Sequence, residues 1–97
     1  MKLHTIIYTM EGCPFCEEIK QKLTENNIEF IDRDINKFEG EYDDFVKITE
    51  SDFVPALLII EESIDKVEPF FYVPEKDFDL IDDAVKIIKE HNERTIV

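Results

Sequence analysis

Leu3-His4-Thr5-Ile6-Ile7-Tyr8-Thr9-Met10-Glu11-Gly12-Cys13-Pro14-Phe15-Cys16 is the stretch on which the fold turns. Leu3 to Tyr8 is β-branched and aromatic, the composition of a buried strand. Thr9 to Gly12 is a short connection. The pattern then changes, and a helix is predicted from Pro14 to about Asn26, with Ile19 and Leu23 four apart on one face. Proline suits the first helical position because the amide it lacks would have no partner there. Asn26-Asn27 ends the helix.

The only two cysteines of the chain, Cys13 and Cys16, fall where that strand hands over to that helix. A bridge between them closes almost no loop and adds little stability, so the pair calls for a chemical explanation. Thiol exchange needs a thiolate, and a helix N-terminus offers unpaired amides and partial positive charge that favour one. Cys13 is therefore expected at the N-cap as the attacking sulfur. Cys16, one turn on and less exposed, is expected to resolve the mixed disulfide. C-x-x-C also occurs in zinc sites, but zinc wants four ligands, and His4 and His91 read as ordinary strand and C-terminal histidines. No metal site is expected.

Outward from the motif, Ile28 to Ile31 alternates as a second strand. Phe38, Tyr42, Phe45 and Val46 recur at helical spacing between about Lys37 and Thr49, with Gly40 weakening the start. Ala56 to Ile60 is a continuous apolar run, as in a strand covered on both faces. Glu61 to Asp65 supplies a turn, and Val67 to Val73 a fourth strand whose Pro69 indicates an edge or a bulge. A last helix is predicted from Asp77 to about Asn92. Phe78, Ile81, Ala84, Val85 and Ile88 share one face; Asp77, Asp79, Asp82 and Asp83 crowd its first half, Lys86 and Lys89 its second. The order β-α-β-α-β-β-α begins with a right-handed parallel crossover and ends with a hairpin and a helix. The expectation is one α/β domain over residues 1–97, a four-stranded mixed sheet flanked by three helices.

Twenty-four acidic residues against eleven basic ones give a net charge of −13. That field repels nucleic acid and anionic membranes, and it favours encounters with basic protein surfaces. The first apolar run is broken by His4, is followed by Glu11 and lacks a small-residue cleavage site, so it does not read as a signal peptide. No apolar run approaches membrane-spanning length. A soluble, cytoplasmic monomer is expected.

Two motifs together, IIYTMEGCPFC at residues 6–16 and FVPALLI at residues 53–59, resemble the glutaredoxins, which pair a strand–C-P-Y-C–helix start with a T-V-P segment before a strand. The resemblance extends to the element order of the whole chain. It implies a thioredoxin-like fold, Cys13 as nucleophile, Cys16 as resolving thiol and a cis peptide before Pro55. It further implies that the backbone of Val54 pairs with a substrate peptide, strand to strand. Phe15 stands where the family usually has tyrosine, and its ring is expected to bound the substrate groove. The implied activity is a dithiol oxidoreductase acting on protein disulfides or glutathione mixed disulfides. It would bind no resident cofactor, and glutathione would be a candidate reductant.

Three departures bear on glutathione. Glutaredoxins commonly carry a lysine three residues before the first cysteine; here Met10 stands there, beside Glu11. The threonine of T-V-P is Phe53. The family's glycine pair at the last helix is replaced by Glu75-Lys76-Asp77-Phe78-Asp79-Leu80, where Lys76 is expected to restore some positive charge and Asp77 or Asp79 to cap the helix. Glu11, Glu17 and Glu18 oppose a thiolate on Cys13 and repel an anionic substrate. Glutathione dependence is therefore expected to be weak. A thioredoxin-like reductant recharged by a flavoenzyme is the alternative. Iron–sulfur binding between two subunits is disfavoured by Pro14.

Overall fold

The computed structural model describes residues 2–95. Seven elements follow in the order β1 (Lys2–Thr9), α1 (Pro14–Glu25), β2 (Ile31–Asp34), α2 (Glu39–Thr49), β3 (Ala56–Glu62), β4 (Val67–Tyr72) and α3 (Ile81–Thr95). The strands form one mixed sheet in the order β2-β1-β3-β4. β1 runs parallel to β2 and antiparallel to β3, and β3 and β4 form the expected hairpin. This is the thioredoxin-like architecture that the sequence implies.

Successive side chains of β1 divide the core in two, as strand pleating requires. Ile7 joins Leu57 and Ile59 on one face, under Ile19 and Leu23 of α1 and Ala84, Val85 and Ile88 of α3. Ile6 and Tyr8 point the other way, to Ala56, Val73, and Tyr42 and Phe45 of α2. The second layer is aromatic, with the Tyr8 and Phe45 rings 4.8 Å apart. Among the described residues no helix is long and apolar enough to cross a membrane.

Four expectations shift. Glu61 and Glu62 extend β3 by pairing with β1 and β4 and do not open the turn. The second strand is Ile31–Asp34, not residues 28–31. Ile28 and Phe30 are apolar because they pack against the α1–α3 core on the way in, while the ladder itself forms where the chain lies beside Ile6 to Thr9. α2 starts at Glu39, because the amides of Lys37 and Phe38 both donate to the Asp34 carbonyl and turn the chain first. α3 starts at Ile81, not Asp77. Phe78 is buried in the core, but from the preceding loop, where Glu75 adopts φ 73° and its amide donates to the Phe78 carbonyl. Apolar spacing alone could not separate a loop anchor from a helix face.

The registers set the position of the site. Tyr8 lies opposite Ala56, Thr9 beside Asp34, and Leu57 opposite Tyr72. The segments following β1 and β4 and preceding β3 therefore all meet at one end of the sheet.

Candidate functional site

At that end, Gly12 takes φ 81°, a left-handed conformation that glycine adopts freely. The turn lets the Cys13 amide donate to the Met10 carbonyl at 3.2 Å. Cys13 follows with φ −94° and ψ 110°, an extended N-cap, and Pro14 opens α1 as expected. The Cys13 sulfur accepts the Cys16 amide at 3.2 Å, which is the contact a thiolate at a helix start requires. Both cysteines are free thiols. Both are buried, Cys13 with 8% of its surface exposed and Cys16 with none, so Cys16 is the less exposed of the two.

Burial pushes the Cys16 thiol up to about 12, and its hydrogen bond to Cys13 adds to the rise. A backbone contact from Met10 and the Lys20 ammonium oppose it. In the sequence, the one signal for Lys20 is its spacing of four from Cys16 along α1. Its ammonium lies 3.1 Å from both Glu17 and Asp32, and Asp32 also accepts from Thr9. Glu18 pairs at 3.1 Å with Lys22, which also meets Asp82. Each lysine thus faces two carboxylates, and the flank of the cysteine helix stays net negative.

Phe15, between the cysteines, is 62% exposed. The Val54–Pro55 bond is cis. Pro55 is buried directly before β3, and no backbone hydrogen bond among the described residues engages Val54. Cys13, Cys16, Phe15, Val54 and Pro55 therefore share one end of the sheet. Lys76 and Asp77 are at the same end but turned to structural work. The Lys76 ammonium donates to the Thr49 carbonyl at 2.9 Å. Asp77 does not cap α3; its carboxylate accepts the Val73 amide at 2.8 Å and closes the loop after β4.

Neither histidine lies with the cysteines. His4 is half-buried in β1, opposite Ile60. His91 is buried against β3 and β4, with Nε2 2.7 Å from the Tyr72 hydroxyl and Nδ1 2.5 Å from Glu61. Among the described residues no group of three or more His, Cys, Asp or Glu side chains is placed to hold a metal.

A four-stranded mixed sheet with a free dithiol at the start of its first helix defines a thioredoxin-fold protein. Solved structures agree on the fold. Thioredoxin from Trichomonas vaginalis superposes with a TM-score of 0.59 at 14% identity, over 92% of this chain and 78% of that one. A thioredoxin from Thermus thermophilus gives 0.58 at 11% identity, over 94% and 74%. No curated protein sequence matches significantly. The sequence model of the glutaredoxin family matches residues 5–64, from β1 past the cysteines and the cis proline to the end of β3. The chain belongs to the glutaredoxin family.

Proposed function

We propose that this protein is a dithiol disulfide reductase of glutaredoxin type, working on protein disulfides through Cys13 and Cys16. The supporting observation is the Cys13 sulfur at the N-cap, held by the Cys16 amide, with Cys16 the more deeply buried of the pair. The Cys13 thiolate attacks one sulfur of the substrate disulfide. A mixed disulfide forms, and the other substrate sulfur leaves as a thiolate that takes up a proton. Cys16 then loses its proton and attacks the Cys13 sulfur, which releases the second substrate thiol and leaves a Cys13–Cys16 disulfide. Two electrons have passed to the substrate. Two external thiols, from glutathione or from a dithiol protein, return them.

The raised Cys16 thiol fits this sequence. Part of its rise comes from Cys13 itself, by hydrogen bond and by charge. Once Cys13 is tied in a mixed disulfide that contribution ends, and Cys16 becomes more acidic at the step that needs it. The open backbone of Val54 beside a cis proline suits strand-like pairing with a substrate peptide.

Recharging by a flavoenzyme instead of glutathione is favoured by one observation: Lys76, the only cation in the loop after β4, is already bound to the Thr49 carbonyl. The work fits a reducing compartment such as the cytoplasm, with the protein acting as a monomer. Cys16→Ser should trap a substrate on Cys13 as a stable mixed disulfide, whereas Cys13→Ser should trap nothing. Trapping on both variants or on neither would defeat the proposal. Turnover supported by glutathione with its reductase, against turnover supported by thioredoxin reductase, separates the two routes of recharging.

A further inference from the structure

Among the described residues, four of the eight exposed large apolar side chains share one end of the molecule, the other four being Ile31, Ile48, Ile64 and Val67. Met10 (42% exposed), Phe15 (62%), Phe53 (50%) and Leu80 (64%) all lie on the connections that meet at the cysteine end. Met10 and Phe15 flank Cys13, Phe53 stands one residue before the open Val54 backbone, and Leu80 leads into α3 beside α1. Side chains of this size left largely in water around a reactive pair form an apolar rim. Interleaved with them are Glu11, Asp52, Glu75, Asp77 and Asp79. None of these carboxylates is in an ion pair among the described residues, and the one cation in the same segments, Lys76, donates to a carbonyl.

We infer that this face selects an extended polypeptide whose target cysteine is flanked by apolar and basic residues, and that it discriminates against acidic peptides and small anionic disulfides. Apolar contacts would be made with Phe15, Phe53 and Leu80, while the surrounding carboxylates attract lysine or arginine in the flanks and speed encounter. The inference rests on the dithiol reading above and adds the substrate class to it. Glutathione, a small anion with little apolar surface, matches neither half of the face.

Three substrates separate the two statements: a small neutral disulfide (bis-hydroxyethyl disulfide) and two peptides sharing one aromatic-flanked disulfide, with lysines in the flanks of one and glutamates in the other. The wild-type protein should reduce the neutral disulfide; failure there defeats the oxidoreductase reading itself. The lysine peptide should be reduced roughly tenfold or more faster than the glutamate peptide at low ionic strength, the ratio shrinking towards one in molar salt. The double variant Glu11→Lys/Asp52→Lys should reduce or reverse that ratio. Phe53→Ser should slow both peptides while leaving their ratio in place. Equal peptide rates for the wild type, or a preference that survives both salt and charge reversal, overturns the inference while the reductase reading stands.

Discussion

Cys16 carries an unusual burden for a small side chain, because burial and its neighbour together push its thiol from the ordinary 9.0 up to about 12. The raised value means that the folded, reduced protein holds this proton more tightly than the unfolded chain does. The stability it brings is complete below the unfolded thiol's range and is lost as pH rises from about 9 towards 12. Urea melts between pH 8 and 10.5 should show the reduced protein losing up to about 1.4 kcal/mol per pH unit above that onset. The disulfide form, with no thiol to ionise, should lose less over the same range. Parallel curves for the two forms would show that Cys16 is not held protonated by the fold.

At the scale of elements, the C-terminal part of α3 is fastened across β3 and β4. Glu61 lies opposite Leu3, His91 bonds both Glu61 and Tyr72, and Arg94 pairs with Glu61 at 2.9 Å. The His91 ring also packs 4.8 Å from that of Phe70. His91→Ala removes two buried hydrogen bonds and a packed ring, and should cost about 2–4 kcal/mol as read from the urea midpoint. Reduction of a small neutral disulfide by the folded variant should be unaffected, since the hydrogen bonds and ring contacts of His91 go to Glu61, Tyr72, Arg94 and Phe70 and not to either cysteine. A loss below about 0.5 kcal/mol would show that the network is not a fastening.

The same elements show what could be read in advance. β1, the cysteine motif and α1 were legible because each is specified by neighbours in sequence: a β-rich run, a proline at a helix start and a spacing of four. β2 was not, because Ile31-Asp32-Arg33-Asp34 has no strand pattern of its own and becomes a strand through its ladder with Ile6 to Thr9. The beginning of α3 was hidden because Phe78 imitates the helical face while anchoring a loop. His91 could be recognised as an ordinary histidine, but its partners lie 19 and 30 residues away and only the folded sheet brings them in. By sequence alone Lys76 is a charge for the site; the carbonyl that occupies it belongs to Thr49 of α2, 27 residues earlier.

For the molecule as a whole, the net charge of −13 is a repulsive load on a chain with a Cα radius of gyration of 12.9 Å. Only a few of the carboxylates are offset by exposed ion pairs, which contribute little each. Raising sodium chloride from about 0.01 to about 0.15 M shortens the screening length from about 30 to about 8 Å. Stability should rise by about 1 kcal/mol, a gain of roughly 4–8 °C in Tm. A melting temperature that is flat or falls with salt would show that the acidic surface is electrostatically relaxed. The same load works against self-association.

The turn before the nucleophile has a consequence in chirality. Gly12 sits at φ 81°, yet nothing lies within 4 Å of where a Cβ would stand. What the position refuses is therefore handedness, not bulk. Alanine of the ordinary hand should destabilise the protein by about 1–2 kcal/mol, because its Cβ clashes with its own backbone at this angle. Its mirror image, introduced by chemical synthesis, should be accepted and should even stiffen the peptide that delivers Cys13 to its helix.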